Sequence, residues 1–158
     1  MNARLLVLFL IPACLRAQSA VPLAPHPELR LDAIFRRDTT AVEAGAGVEL
    51  PAGYYTRIGI IAAGGAQFSG GTSAATGRID VIARFLLDPF RQQAGGLSLG
   101  GGLSVRAREH DRVRPYMLAV IDYEGAIWSS GIAPALQVGL GGGVRVGGAL
   151  RWGSPNAR

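Results

Sequence analysis

Charged side chains in this chain recur at even spacings: Glu43 with Glu49, Arg78 with Asp80 and Arg84, Asp122 with Glu124, and Arg145 with Arg151. Successive side chains of an extended strand point to opposite faces, so residues two, four or six apart share one. That spacing makes stripes of charge, and the chemistry it suits is pairing of guanidinium with carboxylate. It does not bring a nucleophile to a base. Other reactive residues are sparse. His26 and His110 are too far apart in sequence to suggest a metal site. Glu109-His110-Asp111 has the parts to activate a serine, but no serine is placed beside it, and a solvated loop is the simpler reading. Gly100-Gly101-Gly102 and Gly139 to Gly143 have the glycine content of a nucleotide loop, but strands follow them where a helix is needed. No catalytic residue, cofactor or metal is expected, and the chain does not read as an enzyme.

The elements that position the charges are short alternating segments. Leu29, Leu31, Ala33 and Phe35 alternate with Arg30, Asp32, Ile34 and Arg36. A helix would want apolar residues three and four apart, so the alternation predicts a strand. The same pattern sets Val42, Ala44, Ala46, Val48 and Leu50 against Glu43, Gly45, Gly47 and Glu49, before a turn at Pro51-Ala52-Gly53. A third strand, Tyr54 to Ala63, is less clean, because Ile58, Ile60 and Ile61 fall on both faces; Arg57 and Gly59 put its odd positions with the polar set. Gly64 to Gly77 is small and polar apart from Phe68 and reads as the longest loop. Strand four sets Ile79, Val81, Ala83, Phe85 and Leu87 against Arg78, Asp80, Ile82 and Arg84, and strand five sets Leu97, Leu99, Leu103 and Val105 against Ser98, Gly100, Gly102, Ser104 and Arg106. After a charged loop from Arg108 to Arg114, strand six carries Met117, Ala119, Ile121 and Tyr123 outward. A loop from Gly125 to Ile132 holds Trp128. Strand seven pairs Leu136, Val138 and Leu140 against Gln137, Gly139 and Gly141. Gly142-Gly143 leads into strand eight, where Val144, Val146, Leu150 and Trp152 oppose Arg145 and Arg151.

Eight strands in hairpin order with no intervening helix imply an all-β, antiparallel up-and-down meander. The even count argues for closure into a barrel, which removes exposed edges. Alternation alone does not say which face is wet. Size does help: the polar face is rich in glycine (Gly45, Gly47, Gly100, Gly102, Gly139, Gly141), which makes room for long charged side chains inside a narrow eight-stranded barrel. Phe35, Tyr54, Tyr55, Tyr116, Tyr123 and Trp152 fall near strand ends, as interfacial aromatic girdles do. On that reading the barrel is of membrane type. Its interior holds Glu43, Glu49, Asp80, Asp122 and Glu124 opposite Arg57, Arg78, Arg84, Arg106, Arg145 and Arg151. Charges withdrawn from bulk water must be paired or hydrated, so a cross-barrel network is expected, in a lumen too narrow to conduct.

The chain has 158 residues, room for one domain, and all 16 of its basic residues are arginine. Residues 1–17 have the form of a cleaved export signal: Arg4, an apolar core from Leu5 to Ala13 too short to span a bilayer, and Leu15-Arg16-Ala17 before a cut at Gln18. Cys14 lies within it. Ile11-Pro12-Ala13-Cys14 only faintly resembles a lipoprotein box, so cleavage after Ala17 is expected, leaving no thiol. Without Arg4 and Arg16 the mature chain keeps 14 Arg against 11 acidic residues, a net of +3 that does not suggest nucleic acid. A Pro-rich tether at 18–28, a barrel domain at 29–152 and a tail at 153–158 complete the layout.

Arg145, Gly147, Leu150 and Trp152 follow a polar–x–Gly–x–x–apolar–x–aromatic pattern. It resembles the C-terminal signal of bacterial outer-membrane barrels, and the layout from Leu29 to Trp152 resembles small proteins of the OmpA/OmpX type. The resemblance implies residence among outer-membrane lipid, delivery by the barrel assembly machinery and a monomeric state. It also implies a structural, adhesion or envelope-integrity role, with Gly64–Gly77 and Arg108–Arg114 facing outside. The alternatives are a soluble, lipocalin-like barrel holding an apolar ligand, with Leu, Val and Ile inside and Arg84 and Arg106 outside, and a lipid-modifying barrel enzyme.

Overall fold

The computed structural model describes residues 24–88, 95–109 and 112–153. The expected export signal, Cys14, Pro22, His110, Asp111 and residues 154–158 lie outside that range. Eight strands follow one another: β1 (His26–Arg36), β2 (Thr39–Pro51), β3 (Thr56–Ser69), β4 (Thr72–Leu86), β5 (Gly96–Arg108), β6 (Arg114–Glu124), β7 (Ile132–Leu140) and β8 (Val144–Trp152). Each pairs antiparallel with its chain neighbours, and β1 pairs with β8, so the sheet is a closed up-and-down barrel. The all-β meander implied by the alternation is the fold. β1 starts and β8 ends at one rim, the terminal rim, as the partners Glu28 and Arg151 mark. The β1–β2, β3–β4, β5–β6 and β7–β8 connections form the opposite, hairpin rim.

The faces are inverted relative to a water-soluble core. Leu31 (59% exposed), Ile79 (57%), Leu103 (53%) and Val138 (52%) point out, while Arg84, Arg145, Glu43 and Asp80 point in and are 1% exposed or less. β3 follows its odd positions inward: Arg57, Gly59 and Ile61 face the interior, Ile58 and Ile60 the exterior.

Strand three runs Thr56–Ser69 in place of Tyr54–Ala63 and strand six begins at Arg114 in place of Tyr116, and two further boundaries differ in ways that bear on the site. β1 begins at His26 and so takes in Pro27 and Glu28. Pro27 has a ladder partner, Val48, only on the β2 side, because pairing with β8 starts at Glu28. A residue without an N–H is tolerated where one flank is open. The larger correction is at Gly64–Gly77, which is no loop. β3 and β4 stay paired up to Ser69 opposite Thr72, and Gly70-Gly71 makes a two-residue turn with φ of 53° and 84°. Positive φ at both central residues is the type I′ geometry that matches strand twist. Thr72 Oγ1 donates to Ser69 O at 2.7 Å, and Ser69 Oγ donates to Asp38 O at 3.2 Å, tying this hairpin to the β1–β2 turn.

Candidate functional site

Nearer the hairpin rim, Arg78 on β4 is the hub of the interior. It pairs with Asp32 of β1, with Glu43 of β2, and with Asp80 of its own strand at 3.0 Å. Arg145 on β8 crosses the full barrel to Asp80, its Nη1 donating at 2.8 Å. Arg106 on β5 donates to Glu43 at 2.9 Å, and Thr76 Oγ1 donates to the same carboxylate at 3.2 Å. All of these side chains are buried.

Nearer the terminal rim the hub is Arg151. It donates to Asp122 at 2.6 and 2.8 Å, to Glu124 at 2.9 Å and to Glu28 at 3.1 Å, with Glu49 at 3.4 Å. Arg84 pairs with Glu49 and lies 3.5 Å from Asp122. Arg57 lies 3.1 Å from Glu124 and 3.5 Å from Glu49. Several register pairs oppose like charges, two of them between arginines of the network, which is destabilising unless they are bridged. Arg78 faces Arg106 across β4 and β5, and Arg57 faces Arg84 across β3 and β4. A β2 glutamate answers each: Glu43 touches both members of the first pair and Glu49 both members of the second.

Arg30 and Gln137 join the clusters. Arg30 donates to Asp32 at 2.8 Å through two nitrogens, to Glu28 at 3.2 Å and to Gln137 Oε1 at 2.6 Å; Gln137 Nε2 then donates to Asp122 at 3.0 Å. The facing wall between the clusters is apolar, made of Ile61, Ile82, Leu118 and Val120. Glycines supply the room. At Gly59 an added Cβ would lie 2.9 Å from Arg84 Nη1, and at Gly147 it would overlap the Asp32 carboxylate.

All eleven residues expected in the interior network face the interior, and each has an ion-pair partner of opposite sign. Parity missed three members, Glu28, Arg30 and Asp32, although Arg30 and Asp32 lie on the polar face of strand one. With them, seven acids stand opposite seven arginines among the described interior residues, so the network is formally neutral. Of the terminal pattern, Arg145 and Gly147 point inward and Leu150 and Trp152 belong to the outer face. Tyr116 departs from the expected outer girdle. It faces inward at the hairpin rim, where Arg36 sits over its ring at 5.7 Å. There a cavity of about 50 Å³ is lined by Arg36, Gln67, Arg106, Arg108, Arg112, Arg114 and Tyr116. Among the described residues no group of three or more His, Cys, Asp and Glu is arranged to hold a metal ion.

The molecule is thus a closed eight-stranded up-and-down β-barrel with a charge-paired interior. No protein-family model matches the chain, and no curated protein matches it either.

Proposed function

We propose that this chain is an integral outer-membrane barrel, exported by a cleaved signal, whose plugged interior makes it an anchor, adhesion or envelope-integrity element and neither a pore nor an enzyme. The observation that carries the reading is the inversion of faces: fourteen paired charges inside and an apolar outer belt around every strand. In water such a belt is an aggregation liability; against lipid it is the required surface, and closure satisfies every strand edge. Strands of 9 to 15 residues meet the roughly 9–11 residues a tilted strand needs to cross. Exposed Tyr54, Tyr55, Phe85, Tyr123 and Trp128 gather toward the terminal rim, and Phe35 and Phe68 toward the hairpin rim, an arrangement suited to two interfaces. Tyr55 and Phe85 stack with centroids 5.7 Å apart.

In this reading the terminal rim faces the periplasm and the hairpins face outside. Arg145, Gly147, Leu150 and Trp152 serve recognition by the assembly machinery, and the absence of open strand edges favours a monomer. The soluble alternative needs an apolar interior, whereas Arg84 and Arg106 are inside and Leu29 and Leu99 outside, which favours the membrane reading. Fractionation with a heated and unheated gel tests it. Membrane recovery and a heat-dependent mobility shift are expected; recovery in the soluble periplasm without a shift would overturn it.

A further inference from the structure

We infer that the β7–β8 hairpin is a latch: it releases from the other six strands and re-engages them as a unit, opening the barrel sideways between β6 and β7. The first observation is where backbone pairing is thin. From β1 to β6, consecutive ladders are 11 to 14 residues long. The two that tie the hairpin to the rest are the shortest in the ring, six residues between β6 and β7 and eight between β8 and β1. Local opening favours the route that breaks the fewest such bonds. The β6–β7 ladder stops at Ala135 for a local reason. Pro134 O accepts from Gly125 N–H at 2.7 Å on the β6 side, and a proline has no N–H to return. Within the hairpin the strands pair over nine residues. Trp128 N–H donates to Ile132 O at 2.8 Å and Gly153 N–H to Gly131 O at 3.0 Å, binding the preceding connection to the hairpin. Hairpin and connection therefore move together, with the joint at Gly125.

The second observation is charge. β7 has no ionisable residue and β8 has two, Arg145 and Arg151. Without them the described interior of the other six strands holds five arginines against seven carboxylates, an excess of two negative charges. The hairpin supplies the two positive charges that neutralise it. Arg145 engages Asp80 in the cluster nearer the hairpin rim, and Arg151 engages Glu28, Asp122 and Glu124 in the cluster nearer the terminal rim. Gln137 adds a neutral tie between Arg30 and Asp122. Charge complementarity thus holds the hairpin at two heights along the flank where backbone pairing is least. Release leaves buried carboxylates short of partners, so the closed state is favoured and water enters with the opening. The latch rests on pairing and charge and not on the membrane reading.

The test is hydrogen exchange, read by mass spectrometry, on the full chain refolded in a zwitterionic detergent. Peptides covering β7 and β8 should exchange together, through one shared opening, about tenfold or more faster than those covering β3 and β4. Protection that rises steadily from strand ends to centres would mean fraying, and equal protection of β7–β8 and β3–β4 would mean that no such unit opens; either result would overturn the latch. Arg145→Gln/Arg151→Gln should speed exchange in β7–β8 by about tenfold or more while changing β3–β4 less. Adding Asp80→Asn/Asp122→Asn, which removes the two excess negative charges, should return part of the protection. Uniform acceleration in every strand would show that the two arginines hold the whole barrel and not the hairpin, and would also overturn it. The comparison of strands in the parent decides the matter even where a variant fails to fold, which circular dichroism reports.

Discussion

Arg151 lies within 3.4 Å of four carboxylates, those of Glu28, Glu49, Asp122 and Glu124. Removing it strands several buried anions at once, and an uncompensated buried charge is the costly outcome, typically about 3–5 kcal/mol. Arg151→Met should therefore lower stability by about that amount, read by urea unfolding in vesicles. Asp122→Asn in the same chain should restore part of the loss, giving a coupling energy of about 0.5–3 kcal/mol in a double-mutant cycle. Strict additivity would show that the pair does not act as one. Arg84 is the contrast. It is buried, yet its Nε and Nη2 make no hydrogen bond, so Arg84→Met should cost less than Arg151→Met in the same assay. Gly147 belongs to this scale too. Because a Cβ there overlaps the Asp32 carboxylate, Gly147→Ala disturbs Arg30 and Arg78 along with any assembly signal.

At the scale of the element, the β3–β4 hairpin rests on Gly70 and Gly71 and on backbone ladders. A β-branched residue resists positive φ, at a cost of about 1–2 kcal/mol, so Gly71→Val should loosen the hairpin by that much. Gly70→Asn should be nearly neutral, since asparagine tolerates the left-handed region. Amide exchange at Ala66, Ala74 and Ala75 would report the difference, and equal protection in both variants would contradict it. This hairpin is also where sequence reading is weakest. Gly, Ala, Ser and Thr between 64 and 77 carry no polarity contrast, and the forces that pair them are backbone hydrogen bonds that leave no mark on composition. Where a strand sets Ile and Val against Arg and Asp, as β4 does at Arg78–Phe85, alternation is legible down to the facing of each residue. Glu28 was obscured by Pro27, whose place in a half-open ladder depends on where β8 begins. Which charge meets which was not legible at all. Arg145 reaches Asp80, and Ile61 meets Leu118, across a stagger that belongs to the closed ring.

For the whole molecule, Val81 at mid-strand on the outer face provides the sharpest probe of the surroundings. Val81→Arg should cost about 2–4 kcal/mol if that face meets lipid, and insertion yield into vesicles measures it; an unaffected yield would refute the assignment. Planar-bilayer recordings should show no discrete current steps, since fourteen paired side chains fill the passage. One feature of the ring reaches beyond stability. With β1 hydrogen-bonded to β8 and every other strand bonded to its chain neighbours, the sheet has a cyclic order and no privileged first strand. Gly153 lies close to His26, so a short linker can join the ends while the chain is reopened at Gly70-Gly71. Such a circular permutant keeps every ion pair and moves Trp152 into the middle of the chain. Refolding in detergent should then proceed as before, while delivery in cells falters if Trp152 must be terminal. Any targeting role of the last strand and its part in closing the ring then become separately measurable.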